Sequence, residues 1–183
     1  MKNAALLVMD VQHGIVSRVH DADYLPRLTR ALDAARTAGV PVMHVVIGFR
    51  SGHPETTDRN KAFGALPPGA FTAEDPGAAI HPDVEPRPEE VVITKKRVSA
   101  FAGSDLELVL RARGIDHLIL TGIATSGVVL STLRQAADLD YRLTVLADAC
   151  VDPDPEVHRV LTEKVFPRQA DVVTVDEWAS ALA

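Results

Sequence analysis

The chain has little cysteine, and that already restricts it. Among 183 residues there is a single cysteine, Cys150, so no internal disulfide and no multi-cysteine metal site can form, and nothing demands an oxidising compartment. A cytoplasmic location is the simplest expectation. Long apolar runs are missing too: the opening MKNAALLVMDVQ has one Lys before a short apolar stretch that Asp10 interrupts, far short of the ~20 residues of a membrane span. It reads as a first strand. Positive charge is the minority sign, with 19 Lys and Arg against 25 Asp and Glu and a formal charge of −6. An acidic surface repels phosphate backbones and anionic lipid, which leaves a small molecule as the expected partner, with no nucleic acid and no membrane. Neither GxGxxG nor GxxxxGK[ST] occurs, so nucleotide-type cofactors have no motif support. Internal repeats and low-complexity tracts are absent.

The chain does contain apolar segments in regular alternation. Residues 4–9 (AALLVM) are continuously apolar, as in a strand covered on both faces of a parallel sheet. Leu25, Leu28, Leu32 and Ala35 recur at helical spacing between Asp23, a cap, and Gly39, a stop. Strands are expected at 40–47, 90–95, 116–122, 142–147 and 172–175, and helices at about 104–113, 126–138 and 155–164, with a last short helix around Trp178. Between Gly48 and Pro88 the sequence turns Pro- and Gly-rich and loses its period, except for a possible helical turn at 61–65. A connection this long is a lid, a binding loop or a passive surface excursion. Strands alternating with helices give right-handed crossovers and a three-layer, mostly parallel sheet. Ligands of such sheets gather at the carboxyl ends of the strands. That rule selects Asp10 and Gln12, the loop from Gly48, Lys95 and Lys96, and Gly122 to Val128.

An acid and an ammonium delivered to one pocket from neighbouring strand ends shift each other's ionisation strongly. Asp10 and one of the two lysines form such a candidate pair. Each has a plainer reading: an isolated Asp at a strand end also makes turns or caps, and paired lysines usually sit in water.

Four segments, in order, resemble the isochorismatase-like hydrolases: LLVMDVQ at 6–12, KKRVSAF at 95–101, the run from Gly103 to Thr132, and LTVLADAC at 143–150. The resemblance spans nearly the whole chain. It implies a single domain over residues 1–183 with a long insertion loop at about 48–88. The fold implied is three-layer α/β/α, Rossmann-like, with a six-stranded, mostly parallel sheet. It also implies a homo-oligomer, dimer or tetramer, and a catalytic Asp, Lys and Cys. Asp10 matches the first, and Lys95 the second through K-x-R-x-S-A-F, with Lys96 on the variable position. In G-[VI]-x-T-x-x-C the last position is the nucleophile, and Val128 stands there. Valine has no lone pair to attack with, so the amidase acyl-enzyme route is closed at that position. The cis peptide before the nucleophile maps onto Ile123 and Ala124, with backbone donors near Ala124 and Val128 aimed at an oxyanion.

Isochorismatases themselves lack the cysteine and cleave an enol ether without a covalent intermediate. For this chain that implies a hydrolase using Asp10 as acid and Lys95 to stabilise developing charge or orient water. The alternatives are a degenerate member that keeps the pocket for ligand binding, and an amidase using water directly. Cys150, after the next strand, reads as a small hydrophobe. For Thr125, Ser126 and Ser131 no histidine or other base follows from the motif to activate them, and Ser126 reads as a helix cap. Gln12 and Arg50 are expected to line the pocket and bind substrate. No cofactor and no metal is expected: His44 reads as a core residue, and the D-x-H pattern of the nicotinamidase branch is absent.

Overall fold

The computed structural model describes residues 3–182. Six parallel strands form one sheet in the order β3-β2-β1-β4-β5-β6: β1 (Ala4–Met9), β2 (Val42–Ile47), β3 (Val91–Lys95), β4 (His117–Ile123), β5 (Arg142–Val151) and β6 (Asp171–Val173). The unbroken apolar run of β1 follows from two-sided burial. Ala5, Leu7 and Met9 enter one core while Ala4, Leu6 and Val8 enter the other, because successive side chains of a strand point to opposite faces. Helices α3 (Leu106–Ala112) and α4 (Leu130–Asp138) cover the first face through Leu106, Leu110, Leu133 and Ala136. Helices α2 (Tyr24–Thr37) and α6 (Val175–Ser180) cover the second through Leu28, Leu32 and Trp178. Two short helices complete the set, α1 (His13–Val16) and α5 (Pro155–Val160). Among the described residues, no helix is long and apolar enough to cross a membrane.

Several local expectations change. Asp23 stands at the start of α2, but its side chain makes no cap bond; its own N–H goes to Asp21 Oδ1 at 3.0 Å. Ser126 does not cap a helix either. The chain leaves β4 through a wide π-type turn, Thr125–Val129, before α4 begins, and the Ser126 N–H donates to Asp152 Oδ2 at 2.7 Å. Strand β5 runs on to Val151, beyond the expected 147, because a bulge in β5 between Val145 and Cys150, opposite Leu120 to Gly122 of β4, lets pairing resume at Gly122 with Cys150 and Ile123 with Val151. Residues 61–65 form an isolated turn, closed by Gly64 N–H to Asn60 O at 2.7 Å, and no helix. In the long connection the only regular pieces are two single 3₁₀ turns, Pro76–Ala78 and Pro82–Val84.

One glycine is required for the sheet to close at its functional edge. Gly122 has φ +138, and a Cβ there would come within 2.2 Å of the Met9 carbonyl oxygen. A side chain would push β4 off β1 directly beside Asp10.

Candidate active site

Asp10 follows β1 with φ +58, its N–H donating to Val45 O at 2.7 Å, so its side chain turns inward at the carboxyl edge. Lys95 closes β3, where the alternation that buries Ile93 and exposes Thr94 also buries Lys95. Lys95 Nζ lies 2.9 Å from Asp10 Oδ2, with 2% and 9% of the two side chains exposed. It also donates to Arg97 O at 3.0 Å. Asp10 Oδ1 is buried without a partner among the described residues. Burial pushes the Asp10 carboxyl up to about 6; the Lys95 charge and hydrogen bond pull it down without cancelling that cost. Lys96 points elsewhere, donating to Gly48 O.

The pair floors a cavity of about 230 Å³. Ile123, Ala124 and Val128 form its wall, and the Ile123–Ala124 peptide is cis. Val128 is 2% exposed and packs into the first core. Phe63 and Phe71 line the cavity from the long connection, so that segment supplies part of the site. Of the backbone donors around the turn, Ser126 N–H is taken by Asp152 and Gly127 N–H by Ala124 O.

Two expected pocket residues lie outside this cavity. Gln12 is fully buried, but its amide serves the backbone: Nε2 donates to Ile47 O at 3.0 Å and Ala78 O at 2.7 Å, and Oε1 accepts from Ile47 N at 2.9 Å. It ties β2 and the long connection to the start of α1. Arg50 has 75% of its side chain exposed and pairs with Glu55 at 2.8 Å.

Two groups at the site carried no sequence signal. Arg18 lines the cavity from the segment between α1 and α2, in a stretch without period. The Thr125 hydroxyl lies 2.8 Å from His158 Nδ1 on α5, so an imidazole the motif does not announce stands beside one of the hydroxyls that had no base in the sequence. Burial lowers the His158 pKa.

A second cavity of about 740 Å³ adjoins the first, sharing Ile15, Arg18, Ile123 and Ala124. Cys150 lies at its edge, 3% exposed, its thiol pushed up to about 12 by burial. Among the described residues no three His, Cys, Asp or Glu side chains converge in a way that could hold a metal.

By sheet order and by the acid–lysine pair at the carboxyl edge, the class is that of the isochorismatase-like hydrolases. Residues 4–177 match the model of the isochorismatase domain. The chain belongs to the isochorismatase family, whose members are hydrolases. It is 34% identical to the isochorismatase family protein YecD of Escherichia coli O157:H7, over 99% of this chain and 97% of that one. It is also 34% identical to the ureidoacrylate amidohydrolase RutB of Stutzerimonas stutzeri, over 97% and 79%. A solved isochorismatase family protein from Burkholderia thailandensis superposes with a TM-score of 0.87 at 30% identity, covering 98% of this chain and 95% of that one.

Proposed function

We propose that this chain hydrolyses a small organic molecule at the Asp10–Lys95 cavity by acid–base catalysis, with no covalent intermediate, and that the bond cleaved is an enol ether or a related C–O or C–N bond. The observation that carries the reading is the buried pair itself: an acid with a raised pKa and one unpartnered oxygen, held by a lysine, in a cavity whose nucleophile position is Val128. A carboxyl near 6 is neutral often enough around neutral pH to donate a proton. For an enol ether, Asp10 protonates the vinyl carbon, leaving an oxocarbenium-like centre. Water adds there and returns its proton to the carboxylate, and the hemiketal collapses to a carbonyl compound and an alcohol. Lys95 stabilises the negative charge that develops on the Asp10 carboxylate as its proton leaves.

The likeness to an amidohydrolase favours a second reading, amide cleavage by water. There Asp10, ionised, takes the proton of the attacking water, and no acyl-enzyme forms because no thiol faces the cavity. The test is a panel of enol ethers, amides and carbamoyl compounds, with intact-protein mass spectrometry during turnover. Hydrolysis of an enol ether with no adduct on the protein is the expected result. Turnover of amides alone selects the second reading. An acyl adduct on any residue sinks both, and binding throughout the panel without turnover leaves a degenerate, ligand-binding member.

A further inference from the structure

The Thr125 hydroxyl is fully buried, and among the described residues its only partner is His158 Nδ1, at 2.8 Å. That pairing fixes which ring nitrogen carries the proton. If Nδ1 were the donor, the hydroxyl proton of Thr125 would lie buried with no acceptor, a costly arrangement. Thr125 therefore donates, Nδ1 accepts, and the imidazole proton sits on Nε2. Burial lowers the His158 pKa, which keeps the ring neutral near pH 7, as this arrangement requires. Thr125 lines neither cavity, so the pair offers a ligand no nucleophile; what it offers is the imidazole. His158 is half-buried, lines the larger cavity, and makes no hydrogen bond through Nε2 among the described residues. At about 740 Å³ that cavity falls within the ~300–1,000 Å³ of small-molecule sites, and much of its wall is hydrocarbon, from Ile15, Val19, Val151 and Pro155. Its charges favour no anion: Arg27 and Asp21 pair with each other, and Arg18 stands against Asp148 and Asp152, which have no cation partner.

We infer that His158 determines specificity in the larger cavity: Thr125 holds it as a neutral Nε2–H donor, and that donor binds an uncharged carbonyl oxygen on the part of the substrate remote from Asp10. This rests on the hydrolytic reading above for the reaction at Asp10 and adds the chemistry of the substrate's far end. Ile123 and Ala124 line both cavities, so one molecule can lie across them. A carbonyl oxygen satisfies the imidazole N–H without bringing charge, whereas a carboxylate at the same point would meet Asp148 and Asp152 with no countercharge from the neutral ring. A hydrocarbon group of the same shape fills the space but leaves the donor unpaired. Thr125 acts only through His158 and is a positioning residue.

The first test needs no ligand. A long-range proton–nitrogen NMR spectrum of the full wild-type chain at neutral pH should show His158 protonated on Nε2 alone; a proton on Nδ1 overturns the inference. The second is calorimetry with acetophenone and with isopropenylbenzene, which replaces the carbonyl oxygen by a methylene of similar shape. The affinity of the ketone relative to the alkene should fall ~5-fold from wild type to His158→Phe and part of the way in Thr125→Val, while Thr125→Ser, which keeps the hydroxyl, retains it. Benzoate measured against the same alkene should show no such fall. A relative affinity unchanged in His158→Phe or in Thr125→Val, or a fall for benzoate as large as for the ketone, would each overturn the inference. Should a variant melt well below wild type, the wild-type Nε2 resonance decides: a shift on saturation with acetophenone supports the contact, and a resonance that stays in place sinks it. Neither measurement involves turnover. If the panel above gives no hydrolysis while the ketone preference follows His158, the hydrolytic reading fails and the carbonyl site stands; if turnover occurs without the preference, the site alone falls.

Discussion

Strand β3 carries an acid–base cluster at each end, and the two titrate in opposite directions. At its amino end, Glu90 accepts from Arg36 through both oxygens at 2.8 and 2.9 Å, from Arg87 N at 2.9 Å, and lies 3.0 Å from His44 Nε2. At its carboxyl end, Asp10 has Lys95 on one oxygen and nothing on the other. Both acids are withdrawn from water, with 6% and 9% of their side chains exposed. Burial therefore pushes both upward, and the number of partners decides the outcome. For Glu90 the Arg36, Arg87 and His44 contacts override burial and hold the carboxyl at about 2; for Asp10 burial prevails and the value is about 6. A carboxylate with both oxygens engaged fastens strands to helix α2. One left short of partners keeps a proton available for chemistry.

Removing the proton donor gives the largest expected effect. Asp10→Asn keeps the shape and loses the acid, so kcat/KM should fall by about 10³-fold on whatever substrate the panel identifies, with the melting temperature within a few degrees of wild type. Full activity in Asp10→Asn would dissolve the contrast between the two clusters.

Next comes pH. If protonated Asp10 is the acid, kcat/KM falls about tenfold per unit above about 6; if the ionised form is the base, it rises up to that value and then levels. The sign of the limb separates the enol ether reading from the amide reading. Stability obeys the opposite logic at the two ends of β3. Glu90, lowered from its unfolded value of 4.5, contributes stability that is present above 4.5 and is lost as pH falls towards about 2. Asp10, raised from 3.8, favours the folded state most below 3.8, and that contribution is lost as pH rises to about 6. Glu90→Gln tests the comparison from the structural side. It should cost about 2 kcal/mol at neutral pH by leaving Arg36 and His44 poorly satisfied, lowering Tm by roughly 4–8 °C, while kcat/KM stays within about threefold and the limb near 6 keeps its place. The stability difference from wild type should shrink below pH 4.5. A shift of the kinetic limb in Glu90→Gln would mean that the two clusters are coupled along β3.

How much of this could be read in advance depends on the range over which each side chain acts. The parallel sheet was legible because Leu6 and Leu7 must both be apolar when each faces its own core. Asp10 and one of two lysines were legible because they sit at strand ends, which topology brings to one edge; the choice of Lys95 over Lys96 came from the family pattern. Gln12 satisfies the same rule, yet its amide is claimed by Ile47 and Ala78, 35 and 66 positions away, and a strand-end position does not reveal such partners. Arg50 was placed by proximity to β2, but Glu55 holds it outside. His44 reads correctly as buried, while Glu90 as its partner depends on the β2–β3 register, His44 opposite Val92. Arg18 lies in a stretch with neither period nor motif, and its neighbours Ile123 and Ala124 come from β4 and the turn after it. Its place at the site exists only in three dimensions.

The smallest expected effect belongs to Cys150. Its Sγ lies 3.8 Å from Leu120 O, and burial drives the thiol to about 12, which leaves a thiolate fraction on the order of 10⁻⁵ at pH 7. A thiol this reluctant to ionise cannot replace the missing nucleophile, and β5 places it beside the larger cavity rather than against the Asp10–Lys95 pair. Cys150→Ser should therefore leave kcat/KM within about twofold, and iodoacetamide should label the native wild-type protein only slowly. Val128→Cys gives the contrast within one chain, because a thiol there lines the small cavity beside Lys95 and should be alkylated at least about tenfold faster than Cys150. A Cys150→Ser variant that melts like wild type yet loses most of its turnover would reverse the assignment, making the larger cavity the chemical centre and leaving the Asp10–Lys95 pair as a second structural cluster like that of Glu90.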